Sequence, residues 1–194
     1  MDILIASHNH GKILEIKKYF EHFSLNFFDL KSLGIHESVS EPFDTFQQNS
    51  FHKADYYSSI SGMLVLADDS GLEVECLNGK PGVLSARYGG ENLSDHERNL
   101  FLLDEISDFN NVKAKFKCVL TLCNNKEWVS SFEGECTGSI INKSKGSNGF
   151  GYDPIFFLDK YAKTMAEIDT EIKNKISHRA IALNKLSKFL ESLK

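Results

Sequence analysis

The stretch Leu66-Ala67-Asp68-Asp69-Ser70-Gly71-Leu72 decides the fold, because it joins a buried apolar segment to a pair of carboxylates. The apolar run from Met63 to Ala67 predicts a buried strand. The Asp-Asp-Ser-Gly that follows predicts a turn, in which glycine lets the backbone bend beside a ligand. Taken alone, this stretch favours an ordinary surface turn without function, so a functional interpretation depends on the segments that precede and follow it.

The two adjacent carboxylates, Asp68 and Asp69, are predicted to do different things. Successive strand side chains point to opposite faces, so we expect Asp68 and Asp69 to have different roles. One can face a cleft and hold a metal ion or a water, while the other fixes the turn by accepting backbone N–H groups. Carboxylate oxygens at a strand end suit a hard cation such as Mg²⁺, which takes oxygen ligands and keeps several waters.

Length and charge limit the classes of protein to which the chain can belong. A length of 194 residues predicts one domain, residues 1–194, with a sizeable core. A net charge of −5 argues against a general nucleic-acid binder. The longest apolar runs are too short for a membrane span, and Met1 to Ala6 predicts a first strand rather than a signal peptide. We expect reduced thiols in a cytoplasmic protein at Cys76, Cys118, Cys123 and Cys136.

A polar loop between the first strand and the first helix predicts an anion site. Ile3 to Ala6 is the predicted strand, Ser7 to Lys12 is the loop, and Ile13 to Phe20 has helical apolar spacing. Asn9 is a plausible N-cap, and a helix N-terminus offers free N–H groups to an anion. Lys12 lies where the helix dipole disfavours cations, which a bound phosphate would explain; an exposed lysine at a loop end is the alternative.

The middle of the chain alternates predicted helices and strands. A helix begins near Asp44 or Thr45 and ends about Ser59. Leu72 to Cys76 predicts a separate strand, followed by a long glycine-rich loop, residues 77–90. Ser94 to Ile106 predicts a helix with a capping box completed by Glu97. An antiparallel pair is predicted for residues 114–122 and 128–136, turning at Asn124-Asn125.

Two polar segments near the C-terminus complete the pattern. Gly146 to Pro154 is a glycine-rich loop that can lay an aromatic ring against a base; an ordinary connection is the alternative. Ser177 is a possible cap for the last helix, and His178 and Arg179 follow in its first turn, where the dipole disfavours cations. We interpret these cations, with Lys173, as donors aimed at ligand oxygens; a solvated basic patch is the alternative.

These segments follow strands or begin helices, which is where open α/β sheets bind ligands. The chain closely resembles the inosine triphosphate pyrophosphatase family over nearly its whole length. The resemblance rests on these motifs in order: Ser7-x-Asn9-x-x-Lys12, Thr45-Phe46-x-x-Asn49-x-x-x-Lys53-Ala54, Ala67-Asp68-Asp69-Ser70-Gly71-Leu72, Pro81-Gly82-x-x-Ser85-Ala86-Arg87-Tyr88, Gly149-Phe150-Gly151-Tyr152-Asp153-Pro154 and Ile176-Ser177-His178-Arg179.

The resemblance implies a role for each matched residue. Asp69 corresponds to the catalytic carboxylate, described as proton acceptor and metal ligand, and Glu41 to a second metal position for one or more Mg²⁺ ions. The implied substrate-binding residues are Ser7, His8, Asn9, His10, Gly11, Lys12 and Lys53 for the triphosphate, Ser70, then Phe150, Gly151, Tyr152 and Asp153 for base and sugar, and Lys173, His178 and Arg179 for reading the base. One departure is Gln48, where many relatives carry glutamate.

The resemblance also implies a fold and an activity. The expected fold is α/β, an elongated mixed central sheet flanked by helices, with two lobes and the active site in the cleft between them. The expected activity is Mg²⁺-dependent hydrolysis of ITP, dITP or XTP to the monophosphate and pyrophosphate, by a cytoplasmic homodimer that binds neither membranes nor nucleic acids. A pyrophosphatase of the related septum-inhibitor family and a nucleotide sensor without turnover are the alternatives.

Overall fold

The computed structural model describes residues 1–193. The strands are β1 Asp2–Ala6, β2 Asn26–Asp29, β3 Leu64–Val74, β4 Lys113–Asn124, β5 Glu127–Ile140, β6 Phe156–Leu158 and β7 Lys163–Thr164. The α-helices are α1 His10–Tyr19, α2 Phe46–Ser61, α3 Asp95–Glu105, α4 Thr170–Ile176 and α5 His178–Ser192. Within this described part of the chain, no helix combines the length and apolar character needed to cross a membrane.

The strands form one mixed sheet of seven strands in the order β2-β1-β3-β4-β5-β6-β7. β1 is parallel to both β2 and β3, with Ile5 opposite Leu66 and Ala6 opposite Ala67. β5 and β6 are antiparallel, as are β6 and β7. The expected α/β class with a mixed central sheet is therefore confirmed. The register also shows that the loop after β1 begins beside Asp68, one residue beyond Ala67.

The chain divides into two compact units. Unit 1 contains residues 1–69, 118–134 and the segment from Arg179 onward. Its part of the sheet is covered on both faces, as is usual for parallel strands. Ile3 and Ile5 pack in a cluster with residues of α1 and α5, whereas Leu4 and Ala6 pack in a cluster with residues of α2. This alternation along β1 is why its whole length is apolar.

Unit 2 contains residues 70–117 and 135–178. Its core joins the second half of β3 to α3, through Leu72, Val74 and Leu102, and includes the aromatic pair Phe116 and Phe156. The start of α3 has the predicted capping box, in which Ser94 and Glu97 satisfy each other's backbone N–H groups. This cap defines where the first turn of α3 begins.

The prediction of a turn at Asp68–Gly71 is wrong, because β3 runs without interruption through these residues. Gly71 serves a different purpose. A Cβ atom on it would lie 2.5 Å from Gly82 O and 2.8 Å from Ser85 Cβ, so only glycine lets that neighbouring segment pack against the strand. Ser85 Oγ uses this closeness to accept the backbone N–H of Leu72 at 2.8 Å.

Other boundaries differ in smaller ways. α1 begins at His10, earlier than the predicted Ile13, because Asn9 accepts the Lys12 N–H and starts the helix there. The β4–β5 turn has positive φ at Asn125 and Lys126, one residue later than predicted. Helix α4 was not predicted, because its short sequence has little apolar periodicity. The caps at Asn9, Thr45 and Ser94 are confirmed.

Candidate active site

Asp68 and Asp69 contact different partners, as the alternation of strand side chains predicts. The Asp68 carboxylate is buried in unit 1, with Oδ1 lying 2.8 Å from Lys12 Nζ and Oδ2 accepting from Arg179 Nε at 2.7 Å. Arg179 also pairs with Glu15 through its Nη1 atom. Two cations and two carboxylates thus form a network beside the loop that follows β1.

This network keeps Asp68 ionised. Burial by itself raises the pKa of Asp68, but the positive charges of Arg179 and Lys12 outweigh burial and hold the pKa well below its usual range. Asp68 is therefore a permanent anion that anchors Lys12. The Cys118 thiol donates to the same carboxylate, with its Sγ atom 3.4 Å from Asp68 Oδ2. Burial, followed by the charge of Asp68, raises the pKa of this thiol well above its ordinary value, so it remains protonated.

The second carboxylate, Asp69, is organised around Lys53. Lys53 Nζ lies 3.0 Å from Asp69 Oδ1 and 2.5 Å from Glu41 Oε1, and it also donates to the backbone oxygen of Asp68 at 2.8 Å. Glu41, implied as a second metal position, and Lys53, implied for the triphosphate, are therefore brought together with Asp69. Asn49 positions the segment that carries Glu41, because its side-chain amide makes hydrogen bonds to both the N–H and the C=O of Phe43.

One oxygen of Asp69 is left over. No donor among residues 1–193 reaches Asp69 Oδ2, although this atom is buried. Buried carboxylate oxygens normally have partners, so an orphan of this kind is typical of a site that binds something else. Burial, partly offset by the charge of Lys53, raises the pKa of Asp69 to about 6. This carboxyl group can therefore gain and lose a proton near neutral pH.

The donor set near Asp69 fits a magnesium ion that also binds substrate. No group of three or more His, Cys, Asp or Glu side chains suited to a metal occurs in the chain up to Leu193. Mg²⁺, however, is usually bound by one or two carboxylates together with waters and substrate phosphates. Asp69, with its orphan oxygen, and Glu41, which contacts the same Lys53 ammonium group, supply that number of carboxylates.

The predicted anion loop, Ser7 to Lys12, lies at the N-terminus of α1. Ser7 Oγ accepts the Asn9 N–H at 3.1 Å, and Asn9 Oδ1 accepts the Lys12 N–H at 3.0 Å, so the loop is shaped by its own side chains. His10 and Gly11 form the first turn of α1. The His8 ring instead lies 3.1 Å from the Glu37 carbonyl oxygen. The position of Lys12 in this turn is explained by its pairing with Asp68.

In unit 2, a second group of predicted residues converges on one carboxylate. Asp153 Oδ2 accepts from Lys173 Nζ at 2.6 Å and from the Phe150 N–H at 3.1 Å. Lys173 Nζ lies 5.3 Å from the centre of the Phe150 ring. Gly149 has a φ of 77°, and a Cβ atom there would collide with the Asp153 carboxylate. This aromatic loop, Gly149–Asp153, thus presents an aromatic ring beside a buried ammonium group.

The remaining predicted residues have intramolecular contacts of their own. Tyr152 is buried, and its hydroxyl donates to the Ser85 carbonyl oxygen at 3.0 Å. The buried His178 ring stacks on Phe116, with ring centres 4.7 Å apart. Ser70 lies partly exposed in β3, directly after Asp69.

The sequence argument about Arg179 needs correction. We interpreted its charge in a helix first turn as a sign of a ligand, but the charge is matched within unit 1. Arg179 is 2% exposed and is held by Asp68 and Glu15. Sequence reasoning also missed Glu15, which lies 164 residues from Arg179 along the chain. Local patterns carry no signal of such a contact, because the topology of the sheet creates it.

Comparison with known proteins places the whole chain in one family. The sequence model of the Ham1 family matches residues 3–189. A dITP/XTP pyrophosphatase of Clostridium tetani is 45% identical over 98% of this chain and 96% of its own length, and one of Bacillus subtilis is 40% identical over 98% of both chains. The solved Ham1 protein of Staphylococcus aureus is 40% identical and superposes with a TM-score of 0.89 over 100% of both chains. The chain belongs to the Ham1 family.

Proposed function

We propose that this protein hydrolyses non-standard purine nucleoside triphosphates, namely ITP, dITP and XTP, to the nucleoside monophosphate and pyrophosphate. The relatives named dITP/XTP pyrophosphatase match nearly every residue of the chain, which supports this substrate class. The observation that carries the proposal is the buried Asp69, with one oxygen on Lys53 and the other without a donor within residues 1–193. This hydrolysis would remove deaminated purine nucleotides from the nucleotide pool.

In this proposal, the cations and the N-terminus of helix α1 in unit 1 bind the triphosphate. The α1 N-terminus offers backbone N–H groups and the positive end of a helix dipole. Lys12 adds a charge whose position is set by the buried Asp68. Lys53 adds a second positive charge and also contacts Asp69, so its ammonium group would lie near both the phosphates and the reacting water.

Hydrolysis requires a water that loses a proton as it attacks phosphorus. Asp69 Oδ2 accepts that proton, and the bond between the α and β phosphates breaks, releasing pyrophosphate. In the metal-free protein the pKa of Asp69 is raised to about 6, so the carboxylate is mostly ionised at pH 7 and is available to bind Mg²⁺ or to accept a proton. Lys12 and Lys53 stabilise the charge that develops on the leaving group. Asp69 and Glu41 would hold a Mg²⁺ ion, which would supply positive charge to offset that of the phosphate oxygens.

In this proposal, the aromatic loop and Lys173 in unit 2 select the base. Phe150 offers a ring on which a purine can stack, and Lys173 can donate to a purine oxygen at position 6. Hypoxanthine and xanthine carry that oxygen, whereas adenine carries an amino donor that would leave the lysine unpaired. Asp153 supports this selection by fixing both Phe150 and Lys173. His178, whose ring stacks on Phe116 in unit 2, is proposed to contribute to the same selection, whereas Arg179 is proposed to act indirectly, by holding Asp68 in unit 1.

The test is a panel of nucleoside triphosphates, including ITP, dITP, XTP, ATP and GTP, with Mg²⁺ and with EDTA. Monophosphate and pyrophosphate are both quantified. We expect pyrophosphate in equal amount to monophosphate from the non-standard purines, and loss of turnover in EDTA. Inosine diphosphate as the main product of ITP would contradict the proposal, as would tight nucleotide binding without turnover, which is the behaviour of a sensor.

We propose that the protein is a cytoplasmic homodimer. Several large apolar side chains of unit 2 are exposed to solvent, including Leu84, Leu100 and Phe101, and a second copy would cover such a surface. Light scattering coupled to gel filtration measures the mass directly. A monomeric mass at micromolar concentration would contradict the dimer.

A further inference from the structure

Helix α3 makes direct contact with the aromatic loop, although none of its residues belongs to the predicted site. The Gly151 N–H donates to Asp95 Oδ2 at 2.7 Å, and Asn99 Nδ2 donates to the Gly151 carbonyl oxygen at 3.1 Å. Asp95 and Asn99 are four residues apart, so they lie one turn apart on the same face of α3. One helix face therefore binds both backbone polar groups of a single loop residue.

We infer that Asp95 and Asn99 are positioning residues that set the orientation of Phe150 and thereby control how tightly the purine base binds. Gly151 directly follows Phe150, and glycine adopts its φ of 61° as readily as many other conformations, so the two hydrogen bonds with α3 select this one. On the other side, the Phe150 N–H is held by Asp153. With the peptide groups before and after Phe150 both held, the direction in which its ring projects is largely determined. This inference rests on the proposed function, because it assigns the ring to the base.

The burial of Asn99 supports a role beyond packing. Asn99 is 3% exposed, and no donor from residues 1–193 reaches its Oδ1 atom. A buried amide oxygen without a donor lowers stability, so an apolar side chain of similar size would serve the core better. Asparagine at this position is explained by the hydrogen bond from its other amide atom to Gly151.

The capping box of α3 makes the helix a firm support for the loop. Ser94 and Glu97 fix the first turn, where Asp95 is the first residue. Asp95 is an exposed carboxylate, and its hydrogen bond to Gly151 is charge-assisted and short. A carboxylate in a helix first turn also gains from the helix dipole, so the experiment has to separate the two roles.

The experiment compares Asp95→Ala, Asp95→Asn and Asn99→Leu with the wild type, using XTP as substrate and inorganic pyrophosphate as an inhibitor that lacks a base. For Asp95→Ala and Asn99→Leu we expect KM for XTP to rise about tenfold, with kcat within about threefold and inhibition by pyrophosphate within about twofold of wild type. Asp95→Asn keeps an acceptor oxygen for Gly151, so its KM should stay within about threefold. If Asp95 acted only through the helix dipole, its negative charge would be required, and KM for XTP would then rise in Asp95→Asn as much as in Asp95→Ala.

The matched control is Asp104→Asn, which removes an exposed charge from the other end of α3 and should leave KM and kcat unchanged. An unchanged KM in Asp95→Ala and Asn99→Leu overturns the inference while the proposed function stands. The inference is equally overturned if KM, kcat and pyrophosphate inhibition worsen together, which is the signature of general structural damage. A wild-type enzyme that does not hydrolyse XTP or dITP overturns the proposed function and this inference together.

Discussion

Two parts of the molecule hold their functional side chains by different physical means. In unit 1, a charged cluster (Lys12, Lys53, Asp68, Asp69 and Arg179, with Glu15 and Glu41) is held by ion pairs. In unit 2, the aromatic loop is held mainly by hydrogen bonds to its backbone, from Asp153, Asp95 and Asn99. The stability of a buried charge depends on its ion-pair partners, whereas hydrogen bonds to the loop backbone determine the direction in which the Phe150 ring projects. The first part should therefore govern turnover and stability, and the second should govern affinity and selectivity.

The largest effect should come from breaking the charged cluster at its most buried cation. Arg179→Met leaves the fully buried Asp68 with Lys12 alone, and removing one partner of a buried ion pair costs about 3 to 5 kcal/mol. We expect the melting temperature to fall by roughly 6 to 20 °C. The control is Lys17→Met, which removes a more exposed pair with Asp29 and should cost under about 1 kcal/mol. Equal losses in the two variants would show that burial does not distinguish these pairs.

The second effect concerns chemistry rather than folding. Asp69→Asn removes the proton acceptor and a proposed metal ligand, and we expect kcat to fall roughly a hundredfold or more. Steady-state kinetics at saturating Mg²⁺ and a thermal melt are both needed, because the variant should remain folded. Near-wild-type turnover would mean that Asp69 is not the catalytic carboxylate.

The third effect is a pH dependence of stability in the metal-free protein. The pKa of Asp69 is raised by burial to about 6 in the folded state, from 3.8 in its ordinary range. Between these values the unfolded chain loses this proton first, so rising pH favours unfolding. We expect Asp69 to lower the free energy of unfolding by about 2 kcal/mol between pH 4.5 and 7. Urea titrations of wild type and Asp69→Asn should diverge over this range; parallel curves would exclude the shift.

The smallest effect should appear in unit 2, as a change of selectivity. Lys173→Met removes the ammonium group beside Phe150 and also lowers stability, because the buried Asp153 carboxylate loses this cation. In the variant that remains folded, checked by a thermal melt, we expect the XTP/ATP ratio of kcat/KM to fall about tenfold, the worth of one hydrogen bond from a charged donor. Lys175→Met is the control, because Lys175 is an exposed lysine on the same helix. If XTP and ATP lose activity by the same factor, Lys173 supports the fold and does not read the base.

Local sequence patterns determined much of this protein. Alternating and continuous apolar runs predicted β1, β4 and β5, and the side chains that cap helices predicted the starts at Asn9, Thr45 and Ser94. These predictions succeed because a helix cap, and the run of apolar residues along one strand, both involve residues close together in the chain. The motif Asp68-Asp69 also predicted two different roles, since the alternation of strand side chains needs no tertiary information.

The tertiary structure alone decided which charges meet. The sequence placed cations at the starts of α1 and α5 and suggested a ligand for each. The parallel pairing of β1 with β3 brings Lys12 beside Asp68 instead, and the packing of α5 against these strands brings Arg179 onto the same carboxylate. It also decided that Gly71 provides room for a neighbouring segment rather than a turn, and that Asp95 and Asn99 hold Gly151. Such contacts join residues distant in the chain, and their geometry follows from sheet order and helix packing, which local patterns do not encode.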